Sequence, residues 1–159
     1  MTEQLVRTSS EDGIHTLMLA RPDKRNAISD RLLAALEAAL VAIPEGTRAV
    51  VLAGEGKHFC AGLDLSEHQH RDAFGTMLHS QSWHRIFARI QNGGIPVIAA
   101  MQGAVIGGGL ELASAAHIRV AEPNKNSAVA FASSVLPTPV GPTNSSTPAG
   151  RSGFESPVL

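Results

Sequence analysis

The chain has 159 residues, of which 43% are hydrophobic, and its formal net charge is -1. This length corresponds to one domain with ample material for a buried core. A net charge so close to zero argues against a general nucleic-acid binder or a protein of anionic membrane surfaces. No apolar run approaches the ~18 residues of a membrane helix, and we expect no secretory leader. A single cysteine forms no internal disulfide, so we expect a soluble protein of the reducing cytoplasm.

The chain begins with the pattern of a β-hairpin. Residues 5–8 and 14–20 have strand character, and residues 9–13 between them are polar and include a glycine. Alternate residues of the second strand point to the same face of a sheet, and one of the two faces is expected to be buried. The side chains predicted to share that face are Ile14, Thr16 and Met18.

A helix and a second kind of strand follow. Ser29 is a suitable N-cap for a helix over residues 30–43, which Pro44 ends. The apolar positions of this helix recur at helical spacing and fall at Leu32, Leu33, Leu36, Ala39, Leu40 and Ile43. Residues 48–53 are nearly all apolar, which is expected of a strand covered on both faces.

The centre of the chain predicts a longer helix and another strand. Helical character runs over residues 70–91 and ends at two consecutive glycines, and residues 95–100 form a short apolar run of strand length. Strands therefore alternate with helices, so the fold class is α/β. The core candidates of this helix are Phe74, Met77, Leu78, Ile86, Phe87 and Ile90.

Two stretches of small residues suggest close approach to the backbone. One has Ala61 and Gly62 at its centre, and the other is 107–109, three glycines at the start of a helix-forming segment. Each glycine costs a helix roughly 1 kcal/mol relative to alanine, so a run of them needs a reason. The free N–H groups of a first helical turn suit a negative oxygen. Glu111 then either complements the helix dipole or faces the same pocket.

The histidines and the cysteine do not indicate a metal site. His68, His70, His79 and His84 are not spaced to place three ligands on one helical face, and no acidic or cysteine partner is suitably placed. Cys60 lies among small apolar residues, which favours a packed thiol over a nucleophile. Trp83 is predicted to lie in the core or in an interface.

The composition changes near residue 124. About half of residues 126–159 are Pro, Gly, Ser or Thr, and the prolines are too closely spaced for a helix or a central strand. We therefore expect one folded domain over residues 1–123 and a disordered tail over residues 124–159.

Three motifs together resemble the crotonase superfamily, the enoyl-CoA hydratase/isomerase family. They are RPDKRNA at 21–27, HFCAGLDL at 58–65 and GAVIGGGLELA at 103–113, in the family's order and at about its spacing. The resemblance covers roughly residues 5–122. It implies a crotonase-like spiral of repeated strand-strand-helix units that stops after the first catalytic glutamate. The chain would then be the N-terminal part of an acyl-CoA-binding domain, without the family's C-terminal part.

The resemblance also implies a role for particular residues. The backbone N–H groups of Leu63 and Gly108 match the two halves of the family's oxyanion hole, and Glu111 matches a glutamate that positions and activates water. Coenzyme A would be part of the substrate, so no separate cofactor is expected. The implied substrate-binding residues are Arg25 and Ala27 at the nucleotide end, and Ala61, Leu63, Asp64, Leu65, Ser66 and Gly108 along the acyl thioester.

The expected reaction is hydration of an enoyl-CoA through a stabilised enolate. The alternatives are another reaction of the superfamily, such as isomerisation, decarboxylation or thioester hydrolysis, or a catalytically inactive CoA-binding fragment. The position of the family's second glutamate falls near Phe131, where no carboxylate is in reach. Family members form homotrimers or hexamers, and the later helices that make much of the trimer contact are not expected here.

Overall fold

The computed structural model describes residues 4–68 and 72–123, which form one sheet with helices packed on it. The five strands lie in the sheet in chain order, β1-β2-β3-β4-β5. The first pair is antiparallel and the others are parallel. The strands are β1 (Val6–Glu11), β2 (Ile14–Leu19), β3 (Ala49–Gly54), β4 (Val97–Met101) and β5 (Ile118–Ala121). The helices are α1 (Asp30–Val41), α2 (Leu65–His68), α3 (Ala73–Asn92) and α4 (Gly108–Ala115), with a 3-10 turn at Pro22–Lys24.

The hairpin turn is tighter than the sequence predicts. Only Asp12 and Gly13 separate the two strands, with φ values of 48° and 76°. Two successive positive φ angles are the geometry of a type I′ turn, which the pair Asp-Gly favours. Strand β1 therefore continues to Glu11 through residues predicted as turn, and its polar side chains are exposed.

The buried face of β2 is the opposite of the predicted one. His15, Leu17 and Leu19 point into the core, whereas Ile14 is exposed. Strand β3 sets this choice, because Leu17 is in register with the buried Leu52. Neighbouring strands must present the same face to the helices above them. The predicted face of Ile14, Thr16 and Met18 is therefore wrong. On β3 itself only alternate residues are buried, and the others are half-buried rather than covered.

Helix α1 forms almost as predicted. The hydroxyl of Ser29 accepts a hydrogen bond from the backbone N–H of Leu32 at 3.1 Å and so caps the first turn. The helix ends at Val41, two residues earlier than expected. Its buried face packs on the sheet and against α3. The buried side chains on that face are Leu32, Leu33, Leu36 and Leu40, while Ala39 and Ile43 are partly buried.

Helix α3 begins later than predicted and turns a different face to the core. Asp72 caps it by accepting a hydrogen bond from the N–H of Gly75 at 2.7 Å. The predicted core residues of its first turns are exposed, with Phe74 at 63%. Ile86 and Ile90 are buried as expected, and Phe87 is partly buried. The predictions for Phe74, Met77 and Leu78 are therefore wrong, because the buried face runs through His79, Trp83, Ile86 and Ile90.

Two other sequence predictions concern membrane helices and the tail. Helices among them are too short or too polar to cross a membrane. The predicted tail over residues 124–159 lies outside the described residues.

Substitutions on the two faces of β2 test its register with β3. Leu17→Ala removes a side chain that is 0% exposed and should lower the free energy of unfolding by about 2–5 kcal/mol. Ile14→Ala is the matched control, and since Ile14 is 44% exposed the loss should be below about 1 kcal/mol. Urea unfolding followed by circular dichroism measures both. Equal losses would contradict the register.

Candidate active site

Three backbone segments meet beyond the carboxyl ends of the parallel strands. Ile28 forms a bridge with Leu63, and Cys60 forms one with Val105. The N–H of Ile28 donates to the carbonyl of Gly62 at 2.8 Å, and the N–H of Cys60 donates to the carbonyl of Ala104 at 3.1 Å. These bonds extend the sheet pairing past β3 and β4, so the loops that follow these strands lie side by side.

Two N–H groups at this junction are left without an acceptor. Within residues 4–68 and 72–123, neither the N–H of Leu63 nor that of Gly108 donates a hydrogen bond. Gly108 is the first residue of α4, after Gly107 with φ 52° and ψ -123°. A Cβ built on Gly62, the neighbour of Leu63, would lie 3.5 Å from the nitrogen of Gly108. The two donors therefore belong to adjoining backbones at the positive end of a helix.

The close approach of these backbones requires glycine. Gly62 has φ 93°, and a Cβ there would lie 2.8 Å from the carbonyl oxygen of Ile106. A Cβ on Gly109 would collide with the backbone carbonyl of Cys60 and lie 2.8 Å from its Cβ. Any larger residue would push the two loops apart. The sequence prediction of close backbone approach at both small-residue stretches is met by these contacts.

Glu111 lies one turn into α4. Its N–H donates to the carbonyl of Gly107 at 3.0 Å, and its side chain is exposed. Positions i and i+3 are neighbours on a helix, so Glu111 follows Gly108 along the same side. Its carboxylate contacts no hydrogen-bond donor among the described residues. Within the described residues, the exposed side chain of Glu111 therefore lacks the partial desolvation that is expected of a catalytic carboxylate.

Asp64 has a structural task within the loop. Its Oδ2 accepts from Nη2 of Arg21 at 3.0 Å, and its Oδ1 accepts from the hydroxyl of Ser66 at 2.6 Å. The Ser66 hydroxyl first, and then Arg21, lower the pKa of Asp64 against the opposing effect of burial. Both carboxylate oxygens are thus engaged by the protein, so Asp64 holds the loop in place rather than presenting a free charge to a ligand.

The remaining predicted substrate-binding residues line the same loops. Arg25 is exposed in a left-handed conformation with φ 51°, and its carbonyl accepts from the N–H of Ala61 at 3.0 Å. Ala27 is half-buried, and its carbonyl accepts from the Arg21 side chain. Leu65 and Ser66 are exposed at the start of α2. The structure thus brings the loop of Arg25 directly against the loop of Leu63.

Sequence reasoning missed Asn26, which holds these loops together. It is fully buried, and its Nδ2 donates to the carbonyls of Glu55 at 3.0 Å and His58 at 2.7 Å. Its Oδ1 accepts from the N–H of Arg21 at 2.9 Å. Asn26 has φ 56°, a conformation that asparagine tolerates better than most residues. The sequence signal that could have revealed this role is an asparagine within a charged loop.

Cys60 and His58 have structural roles. Burial raises the pKa of the Cys60 thiol to about 11, so it stays neutral near pH 7 and is a poor nucleophile. Nδ1 of His58 accepts from the N–H of Ala104 at 3.1 Å, which fixes the loop after β4. The described part of the chain contains no cluster of His, Cys, Asp or Glu arranged to hold a metal ion.

Comparison with known proteins identifies the family. The model of the enoyl-CoA hydratase/isomerase family matches residues 9–136. This is most of the chain, so the protein belongs to that family. The match reaches beyond Pro123, into the segment predicted as a tail.

Named relatives carry the same description. A probable enoyl-CoA hydratase of Mycobacterium tuberculosis, EchA14, is 40% identical over 127 residues, which are 74% of this chain and 47% of that protein. A probable enoyl-CoA hydratase of Bacillus subtilis is 38% identical over 99 residues, 60% of this chain and 38% of that protein. The chain spans about half the length of the curated relatives it matches.

Solved structures show the same fold. An enoyl-CoA hydratase from Thermoplasma volcanium is 37% identical with a TM-score of 0.72, and the match covers 75% of this chain and 48% of that one. A Rhodopseudomonas palustris protein described provisionally as an enoyl-CoA hydratase is 56% identical with a TM-score of 0.70, covering 74% and 45%. The crotonase fold implied by the three motifs is therefore confirmed for the described residues.

The lowered pKa of Asp64 predicts a dependence of stability on acid. A carboxylate whose pKa is lower in the folded state than its ordinary 3.8 stabilises the fold above that pH, and this contribution is lost as the pH falls. Asp64→Asn should therefore unfold more easily at neutral pH and lose less stability on acidification. Urea midpoints measured from about pH 6 to about pH 3 test this.

Asp23→Asn is the control for Asp64→Asn, because Asp23 is exposed on the neighbouring 3-10 turn. It should keep the wild-type pH dependence. An Asp64→Asn protein with the wild-type dependence would show that Asp64 contributes nothing to it.

Proposed function

We propose that this protein hydrates enoyl-CoA thioesters, with the N–H groups of Leu63 and Gly108 binding the thioester carbonyl oxygen. The observation that carries the proposal is the pair of N–H donors without an acceptor, on adjoining backbones at the start of α4. Orphaned donors at a helix N-terminus favour a negative oxygen. The family names of the relatives support the same reaction.

The chemistry of hydration explains why such donors are useful. When the oxygen of water bonds to the β-carbon, the electrons of the double bond move toward the thioester and place negative charge on its oxygen. Two fixed N–H groups stabilise that enolate without reorganising, and losing one donor typically costs about 10²- to 10³-fold in rate. The carbonyl re-forms when the α-carbon takes up a proton, which completes the addition of H and OH.

Glu111 is the proposed acid and base of this cycle. It accepts the proton that water loses and returns a proton to the α-carbon, so it ends unchanged. The proposal assigns it this role because it follows Gly108 by one helical turn and is not committed to another described residue. General acid–base catalysis of this kind contributes about 10²- to 10⁴-fold.

The proposed reaction sets the other requirements. The substrate is an acyl-CoA with a double bond next to the thioester, and no cofactor is needed besides the CoA that the substrate carries. We extend the proposal to the cytoplasm as the place of action, supported by the single buried thiol of Cys60.

Gly108→Pro tests the oxyanion hole. Proline is tolerated at the first position of a helix but has no N–H, so turnover of crotonyl-CoA should fall by at least about 10²-fold while CoA binding persists. Gly108→Ala adds the same Cβ and keeps the N–H, so it measures the steric part of the loss. If the proline variant were as active as the alanine variant, the N–H of Gly108 would have no role in the reaction.

Glu111→Gln tests the acid and base. Glutamine keeps the shape but not the basicity, so kcat should fall by at least about 10²-fold with KM little changed. Glu45→Gln, an exposed glutamate on the loop after α1, is the control and should leave both constants unchanged. Wild-type kcat in Glu111→Gln would restrict Glu111 to a structural role.

A further inference from the structure

Trp83 lies against the residue that carries one of the two donors. A Cβ built on Gly108 would lie 3.1 Å from both Cζ2 and Cη2 of the Trp83 ring, and 3.6 Å from Cδ1 of Ile28. The six-membered edge of the indole therefore occupies the side of Gly108 on which a Cβ would stand. Trp83 is only 8% exposed and also packs on Phe87, with ring centroids 5.1 Å apart. The ring therefore bounds the space available to Gly108 on this side.

The orientation of Trp83 is set by a hydrogen bond at its other edge. Its indole N–H donates to Nε2 of His79 at 2.9 Å. An indole can only donate, so Nε2 must be an acceptor and the neutral ring carries its proton on Nδ1. Nδ1 lies 2.7 Å from Oδ1 of Asp30, which therefore accepts that proton. The hydrogen bond to Asp30 and the hydrogen bond from Trp83 thus require the same tautomer of His79, with the proton on Nδ1.

The residues just before α1 also hold the other donor, the N–H of Leu63, in place. Ile28, two residues before Asp30, accepts a hydrogen bond from the N–H of Asp64 at 2.9 Å and donates to the carbonyl of Gly62 at 2.8 Å. Leu63 lies between these two anchors. The start of α1 therefore fixes Leu63 through its backbone and reaches Gly108 through His79 and Trp83.

We propose that Asp30, His79 and Trp83 form a positioning relay, which holds the N–H of Gly108 at the correct place relative to the N–H of Leu63. The proposal rests on the proposed function, because it assigns the relay to the same oxyanion hole. A ring needed only to fill space could be phenylalanine. The buried indole N–H and the imidazole would cost desolvation free energy if they were unbonded, so their hydrogen bond favours one orientation of the ring, which a phenylalanine would lack.

A chromophoric ligand measures the effect without turnover. The probe is para-dimethylaminocinnamoyl-CoA, whose absorption moves to longer wavelength when hydrogen bonds polarise its thioester carbonyl. Its electron-donating group disfavours the addition of water, so binding is observed at equilibrium. The wild-type chain should shift the absorption of the bound probe. The shift reports on the two donors and not on stability.

Trp83→Phe and His79→Leu are the test variants. Both should bind the probe with most of the shift lost, and crotonyl-CoA turnover should fall roughly 10- to 10²-fold with KM little changed, the size expected of a misplacement of about 1 Å. His84→Leu is the matched control, since His84 lies on the same helix but is exposed. His79→Gln, which can accept from Trp83 and donate to Asp30, should restore part of the shift.

The outcomes separate this inference from the function on which it rests. If Gly108→Pro abolishes the shift while Trp83→Phe and His79→Leu keep all of it, the oxyanion hole stands and the relay is refuted. If the wild-type chain produces no shift, or Gly108→Pro retains it, the proposed function fails and the relay with it. Should Trp83→Phe not fold, His79→Leu and His79→Gln decide, because both keep the indole against Gly108.

Discussion

The structure depends on one close contact between two loops. The backbone of Cys60 lies so near Gly109 that no Cβ fits between them, and the same is true of Gly62 and Ile106. This contact is possible because β3 and β4 are parallel neighbours, so their following loops start from the same edge of the sheet. The bridge between Cys60 and Val105 continues that pairing. The directions of the N–H groups of Leu63 and Gly108 follow from this geometry.

A site made of backbone donors has to be stabilised from outside. Leaving a polar group unpaired costs about 1–3 kcal/mol once it is buried, and such a loop would otherwise relax to bond its own carbonyls. The surrounding contacts prevent this relaxation. Asn26 binds three backbone groups, and the ion pair of Arg21 with Asp64 joins the first loop to the second. These side chains bind the loops' own polar groups, while the two donors have no acceptor among the described residues.

The sequence predicted the elements and the glycine loops well because both leave a local pattern. It failed where the deciding contact was distant. In β2 both faces carry apolar residues, and only the register with Leu52 of β3 selects Leu17 over Ile14. In α3 the apolar residues of the first turns suggested the core, but His79 is buried instead. Its partner Asp30 is 49 positions away in the sequence. The bonds of Asn26 to Glu55 and His58 span 29 and 32 positions. No periodicity reveals such partners.

The division of roles between side chains and main chain explains why the candidate site can still be recognised in the sequence. An N–H donor belongs to every residue except proline, so the identity of Leu63 is not constrained by donation itself. What is constrained is the space around the donors, and glycine is the only residue that leaves enough of it at positions 62 and 109. The proposed catalytic function is therefore encoded less by the residues that would act than by the side chains that are missing beside them. Trp83 is the exception, because its large ring fills the space beside Gly108 and is itself held by a hydrogen bond to His79.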